Sequence, residues 1–214
     1  MTTITEPSPV QISVVLTVRN AEARIAGAME SIAARLEASG DPHELVVVDD
    51  GSDDATAQVA ARVGLRHPGV SVIPLHRRAG EGYAGRVGLL AANGIYRVLL
   101  PVLEGSAFPP IGSWEDVLNR LATGAGIVVG RPARLLGLDA RVAQAVGAVE
   151  SAYRYGAEFS KEVARLARRA GVKVAEARTD VARDDAPGPP ASRAITDSVK
   201  LLIKNRWPRG DGIS

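Results

Sequence analysis

Short runs of β-branched apolar residues recur along this chain, each followed by a stretch of helical periodicity, and that alternation leaves few folds open. Gln11 to Thr17 is such a run, as are Leu45 to Val48, Val70 to Leu75, Arg97 to Val102, Ile127 to Val129 and Val172 to Ala177. Between the first two, Ile25, Met29, Ile32 and Leu36 recur at spacings of four, three and four, which lays one apolar stripe along a helix. Val59 and Val63 do the same after the second run, Val87 and Leu90 after the third, and Trp114 to Leu121 forms a helix after the fourth. Strands alternating with helices predict βαβ units, hence a mainly parallel mixed sheet covered on both faces: a three-layer α/β/α sandwich. An Ala-rich helical region from about Ala140 to Ala170, a loop at Ala186-Pro187-Gly188-Pro189-Pro190 and a closing helix from Ser192 to Trp207 complete the expected order.

At 214 residues the chain is long enough for one substantial core. Aromatic residues make up only 4%, so that core must be aliphatic. Lys plus Arg exceed Asp plus Glu by only two (26 against 24), and no basic stripe interleaved with aromatics appears, so no nucleic-acid partner is expected. The absence of cysteine excludes thiolate chemistry, disulfides and Cys-based zinc sites. His43, His67 and His76 lack the spacing of metal ligands. No apolar stretch approaches the roughly 18 residues that span a bilayer. A cytoplasmic protein is expected, with a peripheral membrane contact open to the basic end of the closing helix at Lys200, Lys204 and Arg206. Residues 1–10 read as a lead-in, 11–207 as one domain and 208–214 as a tail.

The chemistry concentrates between Glu44 and Thr56. There an apolar strand stops at two adjacent carboxylates, Asp49 and Asp50, and Gly51-Ser52 leads into a helix beginning near Asp53. In open α/β sheets ligands gather beyond the carboxyl ends of the strands. Two acids beside a helix N-terminus suit a nucleobase, a ribose or a metal-bound phosphate. Ser52 or Asp53 is the natural helix cap. Gly80-Glu81-Gly82 forms a turn ahead of the next helix, and Arg77-Arg78 reads either as a phosphate clamp or as an exposed pair. Glu104 stands alone after the fourth strand, readable as a surface residue, a metal ligand or a base.

The succession of Thr17-Val18-Arg19-Asn20-Ala21, the Val47 to Thr56 segment and the glycine-rich stretch Ala79 to Tyr96 resembles family 2 glycosyltransferases of the GT-A fold. Residues 156–183, and the segment that opens at Ser192-Arg193, look like the end of the polyprenyl-phosphate sugar transferases (dolichol-phosphate mannose synthase-like). The resemblance implies a nucleotide-binding half over 11–105 and an acceptor half over 106–207, shortened here, that includes the closing helix. It implies that Thr17, Val18, Arg19 and Asn20 line a base pocket. Asp49 and Asp50 would contact base and ribose, with Ser52 in the turn behind them. Gly80, Gly82 and Arg86 would lie near the donor's ribose and phosphates, and Arg183 and Arg193 would hold phosphate. The implied donor is a UDP- or GDP-linked sugar, and the implied acceptor is a lipid phosphate.

Departures from the pattern accompany the likeness. The family's Asp-X-Asp holds Mg or Mn on the donor diphosphate. Its counterpart here reads Pro101-Val102-Leu103 in one register and Leu103-Glu104-Gly105 in the other, so Glu104 is the one carboxylate available as ligand or base, and the metal ligands stay unassigned. Glu81 stands where Lys is usual, and Ser192-Arg193 replaces Ser-Lys. Two functions therefore stay open: sugar transfer from a nucleotide donor, or a non-catalytic pseudo-glycosyltransferase that binds nucleotide or serves an active partner. A nucleotidyltransferase would carry a Gly-rich signature after the first strand, where this chain has Thr17 to Ala21.

Overall fold

A computed structural model of the chain describes residues 10–102, 104–108, 114–131, 135–147 and 156–178. Seven strands lie among them: β1 Ile12–Val18, β2 His43–Asp49, β3 Val70–Pro74, β4 Tyr96–Pro101, β5 Ile127–Arg131, β6 Leu136–Asp139 and β7 Val174–Arg178. The helices are α1 Glu22–Ser39, α2 Thr56–Gly64, α3 Glu81–Ala91, α4 Glu115–Ala122, α5 Ala140–Gly147 and α6 Gly156–Arg169. The strands form one sheet in the order β3-β2-β1-β4-β6-β5-β7. β1 pairs in parallel with both β2 and β4, β2 with β3 and β5 with β7, whereas β6 runs antiparallel to both its neighbours.

Alternation along the central strands explains why their apolar runs are nearly unbroken. Val15, Val46, Val48 and Leu99 face α3, α5 and α6, while Val14, Leu16, Leu45, Val47, Val98 and Leu100 face α1, α2 and α4. A strand buried on both faces needs apolar residues at every position. The α1 stripe of Ile25, Met29, Ile32 and Leu36 is buried as its periodicity predicts. Gly88 lets α3 approach closely, since a Cβ there would lie 2.2 Å from Val15 Cγ1 and 3.0 Å from Val48 Cγ2.

Several expectations need correction. β6 was not foreseen: it has four residues, Leu136 to Asp139, too short for a periodicity signal, and only pairing with β4 and β5 makes it a strand. The region expected as helix from Ala140 to Ala170 contains two separate helices, α5 and α6. Of the two apolar residues named for α3, Val87 packs against the core and Leu90 is exposed. α2 starts at Thr56 instead of Asp53, and neither Ser52 nor Asp53 caps it; the Asp54 carboxylate accepts the Thr56 N–H at 2.9 Å. The closing helix, Trp207 and the Ala186 to Pro190 loop lie outside the described residues.

The topology selects one place for a site. From β1 the chain winds outward through β2 to β3, then returns to lay β4 on the other side of β1. At such a reversal the loops leaving the two central strands diverge and open a crevice at their carboxyl ends. Here that rule points to the tips of β1 and β4, one strand over from the Asp49-Asp50 pair. At the opposite, amino end of the same strands is a hollow of about 440 Å³ floored by Ile12, Leu36, Trp114 and Leu118.

Candidate functional site

The loop after β1 organises the crevice. Asn20 adopts a left-handed backbone conformation, φ 47°, a region that asparagine tolerates better than most residues. Its amide side chain then bridges two loops: Oδ1 accepts the Asp53 N–H at 2.9 Å, and Nδ2 donates to Glu104 Oε1 at 2.5 Å. Its backbone N–H donates to Ser52 Oγ at 2.9 Å. The neighbouring Arg19 guanidinium is a second bridge. Nη1 donates to the Gly51 carbonyl at 2.8 Å, Nη2 pairs with Asp53 Oδ2 at 2.5 Å, and Nε pairs with Glu104 Oε2 at 3.3 Å.

Asp49 and Asp50 are both buried, 2% and 5% exposed, but they act differently. Asp49 Oδ1 accepts the Ser52 hydroxyl and the Ser52 N–H, the latter at 3.3 Å. Burial pushes its carboxyl above the ordinary aspartate value; the two Ser52 bonds oppose that, and the nearby charges of Asp54 and Asp50 add to it. Asp50 instead ties down the loop between β3 and α3. Its Oδ1 accepts the Ala79 N–H at 2.7 Å, and both oxygens accept the Gly80 N–H at 3.0 Å. Gly51, at φ 61°, packs directly on that loop, because a Cβ there would stand 2.2 Å from the Arg77 carbonyl carbon. Together Asp50 and Gly51 hold Arg77 and Arg78 beside the crevice, and the Arg78 charge is felt at Glu104.

The helix starts behind the crevice cap one another. Thr56 Oγ1 accepts the Ala21 N–H at 2.8 Å, Asp54 Oδ2 accepts the Glu22 N–H at 3.1 Å, and Glu22 Oε2 accepts the Ala55 N–H at 3.1 Å. Burial raises the Asp54 carboxyl, but the Thr56 hydroxyl and N–H and the Glu22 N–H outweigh it and hold it below the ordinary value. These contacts use N–H groups that a helix start leaves free, so the loops after β1 and β2 form one block.

The residues named from sequence therefore divide. Thr17 is 2% exposed at the tip of β1, and its hydroxyl oxygen has no hydrogen-bond partner among the described residues. Arg19, Asn20, Asp49, Ser52 and Glu104 form one hydrogen-bonded set. Val18 is part of the core against α1, and its carbonyl accepts the Asp50 N–H at 2.9 Å. Gly80, at φ 97°, makes the turn, whereas Gly82 lies inside the first turn of α3 and Arg86 further along it. Arg183 and Arg193 lie outside the described residues. Sequence reasoning missed Arg24. Its Nη1 donates to the Ser106 carbonyl at 2.5 Å and its guanidinium stands 5.7 Å from the Phe108 ring, tethering the segment after Glu104. No motif distinguishes it from an ordinary exposed helical arginine.

Among the described residues, the carboxylates do not fit a divalent cation. Glu104 has one oxygen on Asn20 and the other on Arg19. The Asn20 bond, opposed by slight burial and reinforced by the Arg19 bond and the charges of Arg19 and Arg78, holds its carboxyl below the ordinary range. Asp50 is committed to backbone N–H groups, and the described residues contain no cluster of three or more His, Cys, Asp or Glu able to hold a metal. A guanidinium, not an open coordination site, lies between Asp53 and Glu104.

Comparison with known proteins agrees with the fold. Dolichyl-phosphate beta-glucosyltransferase of Drosophila melanogaster is 33% identical over 141 residues, which is 61% of this chain and 43% of that protein. The chain thus spans less than half the length of this curated relative. Among solved structures, glucosyl-3-phosphoglycerate synthase from Mycobacterium tuberculosis, in complex with Mn2+, UDP and phosphoglyceric acid, superposes with a TM-score of 0.62 at 20% identity, covering 83% of this chain and 72% of that one. Mannosyltransferase PcManGT from Pyrobaculum calidifontis, with GDP-Man and Mn2+, gives a TM-score of 0.58 at 17% identity, covering 91% and 72%. These likenesses establish the GT-A fold. The model of glycosyl transferase family 2 matches residues 13–141, more than half of the chain, and the protein belongs to that family.

Proposed function

We propose that this chain binds a nucleotide-sugar at the tips of β1, β2 and β4 and transfers the sugar to a lipid phosphate. The observation that carries the reading is the buried acidic tip of β2, Asp49-Asp50, next to the tip of β1, where the buried Thr17 hydroxyl has no hydrogen-bond partner among the described residues, in a family 2 chain. Buried polar groups aimed into a crevice form a recognition surface, because a ligand can supply the hydrogen bonds that water otherwise must. Thr17, Asn20, Asp49 and Ser52 are assigned to the nucleoside. Arg19, Gly80, Arg86 and the loop bearing Arg78 are assigned to the phosphate side.

A phosphate acceptor also agrees with the state of Glu104. A hydroxyl acceptor needs a base, and a carboxylate paired with Arg19 and held below its ordinary range is a weak one. A lipid phosphate carries an ionised oxygen at neutral pH, its second pKa being about 6, and attacks without proton removal. The relative from Drosophila melanogaster is named for dolichyl phosphate, which supports this class of acceptor.

The test incubates the full chain with UDP-glucose or GDP-mannose and a short-chain polyprenyl phosphate in detergent, with Mg, Mn or EDTA. Appearance of glycosyl-phosphoryl lipid with one donor is the expected result. Neither transfer nor donor hydrolysis under any condition rejects the transferase reading. The alternative, a nucleotide-binding pseudo-glycosyltransferase, draws support from the engaged Glu104 carboxylate. It predicts nucleotide binding by calorimetry without turnover.

A further inference from the structure

We infer that the fixed positive charge of this site is arginine, the ordered Arg19 guanidinium together with Arg77 and Arg78, and that these offset the charge of the donor diphosphate without a divalent cation. The inference rests on the nucleotide-sugar reading above, and it concerns how that site handles charge.

The geometry around Arg19 carries it. Its side chain is 16% exposed, and the guanidinium is anchored on two sides, by the Gly51 carbonyl at 2.8 Å and by Glu104 at 3.3 Å. The two anchors come from the loops after β2 and β4, so the group is already ordered before any ligand arrives. Its third partner differs. The Asp53 side chain is 79% exposed, and an ion pair with so open a carboxylate is a weak tether that water and salt screen. A phosphate can replace Asp53 on Nη2 while Nε and Nη1 keep their anchors, giving a charge-assisted hydrogen bond from Nη2 to a phosphate oxygen. Arg77 and Arg78, exposed on the loop that Asp50 and Gly51 hold against the β2 turn, add charge from the facing wall.

The same contacts argue against a cation. A divalent ion at Glu104 would have to displace both Arg19 and Asn20, then share the space with a guanidinium of like sign. Asp49 is not a ready substitute, since burial already disfavours its charge and Ser52 occupies Oδ1. The crevice is therefore furnished with a cation that cannot be removed by a chelator.

Calorimetry on the full chain, with UDP and GDP as probes, tests this. Wild type is expected to bind one of them with a dissociation constant that Mn or EDTA shifts by less than about twofold. Arg19→Gln should weaken that binding by about tenfold or more, the worth of a charge-assisted contact. It should also gain Mn binding in the absence of nucleotide, visible as lost free-Mn electron spin resonance signal, because Asp53 and Glu104 are released. Asp53→Asn, an exposed change that leaves the fold intact, removes the competing carboxylate and should tighten nucleotide binding severalfold. A tenfold gain in wild-type affinity on adding Mn overturns the inference, as does unchanged or weaker nucleotide binding by Asp53→Asn. If neither nucleotide binds wild type under any condition, the nucleotide-sugar reading fails. The Mn measurement then decides the charge assignment alone: uptake by Arg19→Gln but not by wild type upholds it, and equal uptake by both rejects it.

Discussion

Asp49 and Asp50 are neighbours in sequence, yet they have become unlike acids. Asp50 is a positioning residue whose carboxylate accepts backbone N–H groups of Ala79 and Gly80. Asp50→Ala orphans these donors, and the expected loss of stability is roughly 2–4 kcal/mol, read from urea unfolding. Asp49 is the acid whose charge burial disfavours. Its folded-state pKa lies above the unfolded one, so the folded state binds its proton more tightly. Its ionisation therefore costs stability as pH rises from the ordinary aspartate value of 3.8 through the raised folded value. Asp49→Asn keeps an oxygen for the two Ser52 bonds and removes the charge. It is expected to be more stable than wild type at neutral pH, with the gain vanishing as pH falls below that ordinary value. Lower stability of the variant at neutral pH would contradict the assignment. Such a buried acid is retained at a cost, which is common where a ligand later supplies a partner.

Among the elements, α3 is the one most tightly fitted to the sheet. Gly82, Ala84, Gly85, Gly88 and Leu89 are its buried residues, and small side chains let the helix axis approach the strands. Gly88→Ala places a methyl 2.2 Å from Val15 Cγ1, and Val15 is fully buried, so the helix must move. A cost of about 1–3 kcal/mol is expected from such overpacking. Because α3 begins at Gly80 and Glu81, beside Asp50, the shift should also weaken nucleotide binding, and calorimetry beside urea unfolding separates the two effects. A substitution that is silent in both would show that α3 is looser than the packing implies. Two glycines of the stretch from Ala79 to Tyr96 thus have different tasks: Gly80 turns the chain at φ 97°, and Gly88 permits contact with the sheet.

For the molecule as a whole, one seven-stranded sheet separates two apolar clusters, and every central strand contributes to both. Neither cluster can dissolve without exposing the strands that line the other. Unfolding by urea is therefore expected as a single transition, with coincident midpoints by far-ultraviolet circular dichroism and by Trp114 fluorescence in a Trp207→Phe chain. Two resolved midpoints would divide the domain at the sheet. Among the described residues no helix is long and apolar enough to cross a membrane.

Much of this architecture was legible because periodicity is a local property. The unbroken apolar runs of β1, β2 and β4 and the stripe of α1 can be read without a partner, since burial on one or both faces dictates side-chain type residue by residue. The acidic end of β2 was legible for the same reason: a strand that stops at two carboxylates marks its own tip. Pairing and proximity were not. β6 exists only because β4 and β5 flank it, and the different fates of Asp49 and Asp50 depend on which backbone N–H groups lie opposite. Arg19 meets Asp53 and Glu104 across sequence separations of 34 and 85 residues. No spacing rule reaches that far, so the charge that occupies the crevice became visible only when the sheet brought three loops together.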